Sequence, residues 1–306
     1  MNVSLRALRY VVATADAGNL TEAARNLNIS QPSISAAVAQ VEAEFGVQIF
    51  IRHHARGVSV TAAGRRIVNE ARLLINHARD FSQSAIALGD EIRGEIAVGC
   101  FVNLASRYMP ALIAGFAKIH PAIDVRLDEG DQQHVIESLL SGRTEVAMSY
   151  EYAMPDEIVG QRLAELPPYV ILAAAHPYAN RTEVGLDELA DQPFILLDLP
   201  YSRDYFLNLF HMAGVEPRIS FRSRSYELIR GLVGHERGYT IHNSISRVST
   251  TYDGKQVLAV RLKGPLAPVR VMSLRLRNGS PRPAVQAFQK FLLKAFSGEG
   301  NLMALT

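Results

Sequence analysis

The sequence predicts three parts in chain order: a small all-α head carrying a two-stranded wing, one long helix, and a larger α/β body. Three observations carry that reading. Over residues 1–60 apolar side chains recur at helical spacing in three short stretches. From Ile67 to Leu88 they step by four and three without a break. Beyond residue 92 short apolar runs alternate with amphipathic stretches, the signature of strands and helices taken in turn.

The chain's 306 residues exceed the roughly 100–200 of an average domain, so more than one folded unit is expected. With 48% hydrophobic and 20% charged residues, the composition is that of a globular chain able to bury a sizeable core. The longest apolar runs, at 169–175 and 194–197, fall far short of the roughly 20 residues that cross a bilayer. The opening Met-Asn-Val-Ser-Leu-Arg has no basic patch followed by an apolar core and cleavage site, so the cytoplasm is the expected compartment. Cys100 is the only cysteine. It cannot close an internal disulfide or supply a Cys-rich metal site, and neither a metal nor a cofactor is expected. A thiol peroxide sensor would need a readily ionised cysteine and a resolving partner, which a single cysteine cannot provide.

Net charge is +2 overall, but residues 1–66 hold seven arginines against four acidic residues, and the first lysine is Lys118. Within this basic head, Leu5, Leu8, Val11, Val12 and Ala15 predict a first helix closed by Gly18. Asn19, three residues before Glu22, has the spacing of a capping box opening a second helix. Asn28 suits the left-handed backbone of a tight turn. Ser30 as N-cap and Pro32 in the first turn then open a third helix. On it Ile34, Val38, Val41 and Phe45 share one face, which predicts burial against the first two helices.

The other face of the third helix carries Pro32, Ala36, Ala39, Gln40 and Ala43, with Gln31, Ser33 and Ser35 near its start. A helix entering the major groove needs such a slim outer surface and a few donors and acceptors in its first turn. Gln31 can address adenine through two hydrogen bonds, and Ser33 and Ser35 can meet bases or phosphates. Residues 47–60, with Arg52, His53, His54, Arg56 and Gly57, suit a two-stranded wing whose cations hold phosphates. His53 and His54 are adjacent and face apart on a strand, which argues against a metal pair. Solvated helix-start residues would explain Gln31 and Ser33 equally well; the spacing of the whole unit favours DNA.

The run Asn19-Leu-Thr-Glu-Ala-Ala-Arg-Asn-Leu-Asn-Ile-Ser-Gln-Pro-Ser-Ile-Ser35, followed by Val41-Glu-Ala-Glu-Phe-Gly46, Ile49-Phe-Ile-Arg52 and Val60-Thr-Ala-Ala-Gly64, resembles the winged helix-turn-helix head of LysR-type transcriptional regulators. The resemblance spans the first 66 residues. It implies that Gln31, Pro32, Ser33 and Ser35 meet double-stranded DNA and that Arg52 is the wing arginine. Ala36 stands where the family often has a basic residue, which removes one possible contact.

Ile67, Ala71, Leu74, Ala78, Phe81, Ala85 and Leu88 form the heptad seam. Thr61 can cap its start and Gly89 its end, giving a helix of about 28 residues, roughly 42 Å at 1.5 Å per residue. A narrow apolar stripe of that length must be buried on another helix, in a second copy or on the chain's own domain. A homodimer is the favoured reading, because paired heads address two half-sites. The resemblance implies the same pairing, with further assembly into tetramers.

In the body, 96–99, 124–127, 146–149, 169–174, 194–197, 218–221, 239–242 and 269–276 are predicted strands; 103–118, 132–141, 203–213, 226–233 and 282–296 are predicted helices. The alternation predicts parallel sheets, with ligands in a crevice at the strand ends. Gly94-Glu-Ile-Ala-Val-Gly99, Ala117-Lys-Ile-His-Pro121 and Glu129-Gly-Asp resemble the effector domain of the same regulators. That resemblance implies a fold similar to periplasmic solute-binding proteins, with two subdomains joined by a double crossover. The domains expected are then 1–60, 61–89 and 90–306, the last split into 92–165 with 268–306 and 166–267.

Strand ends nominate Cys100, Phe101, Asn103, Asp131, Gln132 and Tyr150 from one side of the crevice, with Pro200, Tyr201, Ser202, Arg203, Arg224 and His242 from the other. Helix N-termini after the strands, with the arginines, favour a small carboxylate effector, aromatic if Phe101, Tyr150 and Tyr201 face it. Tyr201 and Phe101 read equally well as core aromatics, and Arg203 and Arg224 as residues paired with neighbouring acids. The leading function is a ligand-responsive transcription regulator. A solute-binding protein would not need the head, and an α/β enzyme would be expected to show a nucleophile or phosphate-loop motif, neither of which is present.

Overall fold

The structure, a computed structural model, describes residues 3–53, 57–86, 93–152, 154–264, 266–277 and 281–297. Arg56 and Leu88 lie outside the described residues, as do His54, Gly89 and the side chain of Ala85. The chain divides into one unit of Met1–Gly94 with Ser138–Thr144 and another of Glu95–Glu137 with Glu145–Thr306.

Helix α1 (Leu5–Ala17) begins where the Ser4 hydroxyl accepts from the Ala7 N–H and ends at left-handed Gly18. Asn19 Oδ1 accepts from the Thr21 and Glu22 N–H groups to open α2 (Leu20–Asn26). The expected capping box is half made, because the Glu22 carboxylate turns to Arg25 at 2.6 Å instead of reaching back. Asn28 takes φ of 53° in the turn, and α3 (Gln31–Phe45) follows with Pro32 in its first turn. Ser30 makes no side-chain cap; its hydroxyl meets that of Ser33 at 2.7 Å.

Ile34, Val38 and Val41 are buried with Leu8, Val11 and Ala23. Phe45, expected on the same face, is 41% exposed. It is the last residue of α3 before left-handed Gly46, and the buried Ile49 and Phe50 close the core at that end instead. Strands β1 (Phe50–His53) and β2 (Gly57–Val60) form the antiparallel wing, with Phe50 opposite Val60. The Glu42 carboxylate of α3 accepts from the Ile49 and Phe50 N–H groups at 2.7 and 3.0 Å, fixing where the wing begins.

Thr61 caps α4 (Ala62–Ile86) by accepting from the Gly64 N–H, and the helix continues through 25 residues to the last described residue of this stretch. The heptad seam is only partly free. Ala71 is 4% exposed within the head core, and Ile67 packs against the same cluster. Arg72 grips Asp16 of α1 through two hydrogen bonds of 2.6 and 3.0 Å. Leu74 and Phe81 remain exposed, Phe81 at 76%, and Ala78 is half-buried. Assigning Ala71 to a seam between copies is therefore corrected: the first turns of the stripe are covered by the chain's own head.

The body runs β3 (Gly94–Phe101), α5 (Val102–Ile119), β4 (Ile123–Gly130), α6 (Gln132–Leu140), β5 (Val146–Tyr150), β6 (Ile158–Leu166), β7 (Tyr169–Ala173), β8 (Glu183–Val184) and β9 (Pro193–Leu197). It continues with α7 (Ser202–Met212), β10 (Arg218–Ser223), α8 (Tyr226–Gly234), β11 (Thr240–His242), β12 (Val257–Leu262), β13 (Val269–Leu276) and α9 (Pro283–Phe296). One sheet has the order β4-β3-β5-β13-β6 and a second β11-β7-β12-β8, with the parallel pair β10-β9 joined to the second by a bridge from Phe194 to Tyr239. The sheets are mixed, which corrects the expectation of parallel ones: β13 is antiparallel to β5 and β6, and β7 to β11 and β12. The chain leaves the first sheet after β6 and returns to its middle as β13, crossing twice. Asn243 donates to the Leu166 carbonyl on one passage and to the Tyr205 hydroxyl, which donates to the Ala267 carbonyl on the other. One short network thus ties both passages together.

A methyl group on Gly64 would lie 2.3 Å from the Ile49 carbonyl oxygen. Gly64→Ala is expected to destabilise the head by about 1–3 kcal/mol, read as faster amide exchange throughout α1 and α3 with the body unchanged. Parent-like exchange in those helices would show that the close seating of α4 on Ile49 carries no energetic weight.

Candidate functional site

In the head, one face of α3 is locked inward and the other stays open. Gln31, Pro32, Ser33 and Ala36 are exposed and Ser35 is half-buried, while Ile34 between them is fully covered. Arg52, on β1, donates to the Ser35 hydroxyl at 3.2 Å. The wing arginine and the first turns of α3 therefore form one continuous polar edge. Small side chains permit close approach to a groove wall, and the amide, hydroxyls and guanidinium supply the donors and acceptors that base edges and phosphates require.

In the body, strand ends and the helices after them enclose a cavity of about 20 Å³, room for about one water-sized group. Of the residues nominated from sequence, Phe101, Asn103, Tyr150, Ser202 and His242 line it. Tyr152, Tyr205, Phe206 and Tyr226 complete it. Rings follow one another around the wall: Phe101 to Tyr150 at 5.0 Å, Tyr150 to Tyr152 at 6.1 Å, Tyr152 to Tyr205 at 5.9 Å, and Tyr226 to His242 at 4.5 Å. His242 is 2% exposed, and its Nε2 has no hydrogen-bond partner among the described residues; the Tyr152 hydroxyl has none either. Burial, with the Arg230 charge nearby, pushes the His242 pKa down to about 3, so the imidazole is neutral at ordinary pH.

Sharing Asn103, Tyr226 and Ser244 with this box is a wider cleft of about 520 Å³. Arg224 reaches it from the start of α8 and is bridged to Asp131 at 2.8 Å. Arg107, Arg230 and Arg247 also border it. Sequence reasoning missed Arg107, Tyr205 and Phe206, although Asn103 to Arg107 and Ser202 to Tyr205 and Phe206 are steps of three and four that put each pair on one helix face. For Arg247 and Tyr252, beyond β11, no periodic signal exists.

The remaining nominees lie elsewhere. Cys100 is buried on β3 with its thiol on the Phe101 carbonyl, and burial raises its pKa, with the Glu129 charge adding to the rise. Gln132 is buried in a network with the Tyr150 and Tyr152 carbonyls and the Ser149 hydroxyl. Arg203 pairs with Asp198 and Asp204. Pro200 and Tyr201 sit at the turn into α7, where Tyr201 takes the left-handed φ of 63° and points its ring outward. None of these five borders either cavity.

A winged helix-turn-helix head in one chain with a two-sheet α/β body and a cleft at its strand ends defines a DNA-binding regulator with a ligand-binding domain. Residues 5–65 match the family of bacterial regulatory helix-turn-helix proteins of the lysR type, and residues 89–297 match the LysR substrate binding domain. The chain belongs to the LysR family and is a LysR-type DNA-binding transcriptional regulator with an effector-binding domain. It is similar to HinK, a LysR family transcriptional regulator from Pseudomonas aeruginosa, at 35% identity over 96% of this chain and 99% of that one, with a TM-score of 0.66. The hydrogen peroxide-inducible genes activator of Pectobacterium carotovorum is 26% identical over 91% of this chain and 92% of its own length. The HTH-type transcriptional regulator CysB of Haemophilus influenzae is 29% identical over 82% and 79%.

The lowered His242 pKa makes a stability prediction. Unfolding returns the imidazole to its ordinary value near 6.5, so the unfolded chain binds a proton that the folded one refuses between pH 6.5 and about 3. Stability falls as pH drops through that window. Between pH 7 and pH 5 the loss from this group is about 2 kcal/mol, and His242→Gln should flatten that part of the urea-denaturation profile. An unchanged profile in the variant would remove His242 as its source.

Proposed function

We propose that Gln31, Ser33 and Ser35 read or position operator DNA in the major groove, with Pro32 and Ala36 giving the helix its close fit and Arg52 and Arg56 holding phosphates. The observation that carries this reading is the slim exposed face of α3, held outward by Ile34, Val38 and Val41 on the face opposite. The chain works in the cytoplasm as a homodimer that pairs through α4, assembling further into tetramers. Exposed Leu74 and Phe81 support a pairing role for the later turns of that helix. Its domains are 1–60, 61–89 and 90–306.

The effector is a small carboxylate held in the body. Arginines around the cleft and the aromatic box beside it support that class. Effector affinity that differs between two states of the body is what shifts operator binding. A peroxide-sensing reading, suggested by the name of the Pectobacterium relative, is disfavoured by the buried Cys100 thiol, which burial keeps protonated. Carriage of a solute or catalysis by the α/β body would leave the head without a role.

The test is retention of fragments from the chain's own upstream region by the purified protein at moderate ionic strength, with and without cell metabolites; no retention under either condition refutes DNA reading by α3. Gln31→Ala should lower discrimination between operator and scrambled DNA by about 1–3 kcal/mol; equal loss on both would make Gln31 a phosphate contact. Arg52→Ala should weaken both and reduce the salt slope by about one unit, and an unchanged slope would remove it from the phosphate contacts. In calorimetry against organic acids and amines, binding of the amines alone would refute the carboxylate.

A further inference from the structure

The aromatic box and the cleft beside it differ in chemistry as well as in size. Arg107, Arg224, Arg230 and Arg247 border the 520 Å³ cleft against one lining carboxylate, Glu227. Arg230 is committed to that carboxylate at 2.7 Å and to the Val248 carbonyl at 2.6 Å. Arg247 is exposed and has no carboxylate partner among the described residues. Two helices begin at the cleft, α5 with Val102 and Asn103 and α8 with Tyr226, so both dipoles favour negative charge there. Arg247, and Arg224 once it leaves its exposed bridge, can each take a negative charge, so a single carboxylate would satisfy only one of the two.

Arg224 is the decisive group. Its bridge joins the end of β10 to the end of β4, and its side chain is 69% exposed, so the bridge is weak and easily exchanged. The Asp131 carboxylate is divided: one oxygen takes Arg224, and the other accepts the His134 N–H at the start of α6. Releasing Arg224 therefore leaves the second bond of Asp131 in place.

We propose that this cleft is a binding compartment, separate from the aromatic box, for a small anion with at least two negative charges. Dicarboxylates and phosphate share that chemistry. Arg247 and Arg107 meet the ligand, and Arg224 changes partner from Asp131 to it, since paired guanidinium–oxyanion bonds outweigh one exposed bridge. The inference rests on the acid-effector reading and deepens it by fixing the ligand's charge and its place.

Calorimetry on the full chain with acetate, succinate and inorganic phosphate tests it. Succinate or phosphate should bind about tenfold more tightly than acetate, and Arg247→Gln should remove about that factor. Asp131→Asn keeps the oxygen that accepts from His134 and frees Arg224, so it should tighten dianion binding several-fold, a gain that misfolding cannot mimic. Whichever of the two dianions binds identifies the source. Equal affinity for acetate and both dianions overturns the proposal, as does Asp131→Asn without a gain. Acid binding that His242→Gln abolishes and Arg247→Gln leaves intact overturns it while the acid-effector reading stands; no binding of any of the three overturns both.

Discussion

The rotation of α3 about its own axis is the constraint on which the head depends. Ile34, Val38 and Val41 step by four and three, and all are almost completely covered. Turning the helix by one residue would swing about 100° of surface and expose them, at a cost of about 1.5–3 kcal/mol for each side chain. With the rotation fixed, Gln31, Pro32 and Ala36 have only the outward direction left. Glu42, two turns beyond Ser35 on the same side of the helix, carries that constraint into the wing by holding the Ile49 and Phe50 N–H groups. Arg52 then meets Ser35 because strand and helix share one anchor. The polar edge of α3 and the wing is thus set first by core packing, and the Arg52–Ser35 hydrogen bond follows from it.

A different constraint governs the body. Two extended passages join its sheets, and Asn243 with Tyr205 fastens both to one network. Beside that network aromatic rings bury His242, and burial, with the Arg230 charge adding to it, keeps the imidazole neutral. Farther along the chain, the wider cleft is lined by arginine and serine. The same loop after β11 contributes Asn243 to the passages, Ser244 to both cavities and Arg247 to the wider one. Anything that displaces the loop therefore alters the network between the sheets and the charge at the cleft together.

Local rules made most of the head legible: Gly18, Asn19, Asn28, Pro32 and Gly46 each stand where backbone geometry demands them. Phe45 was misread because periodicity does not say where a core ends. In the body, predicted strands at 96–99 and 269–276 match β3 and β13, but β6, β8 and β12 were missed. β6 carries Gly160, Gln161 and Arg162 in succession, so its exposed face hides the alternation that marks a strand. Sheet direction was misread for a topological reason: β13 enters the middle of a sheet built some hundred residues earlier, and no local pattern encodes such an insertion. For the aromatic box, strand ends located Phe101, Asn103, Tyr150 and His242; Cys100 does not line it because neighbours on a strand point to opposite sides, and Gln132 does not because its amide is taken up by Ser149 and the Tyr150 and Tyr152 carbonyls.

The stripe on α4 shows the same limit most sharply. Steps of four and three specify that one face will be buried and say nothing about what buries it. A straight helix also drifts by about 20° per heptad from such a stripe, so a seam flush with the head at Ala71 cannot stay flush far along. Val68 and Ala71 lie inside the head core, Ile75 at its margin, and Phe81 beyond it. Arg72 fixes where the change occurs, because its two bonds to Asp16 hold that turn of α4 against α1. One apolar repeat therefore divides in sequence: its first turns complete the fold of the head, while Leu74 and Phe81 on the later ones are left uncovered.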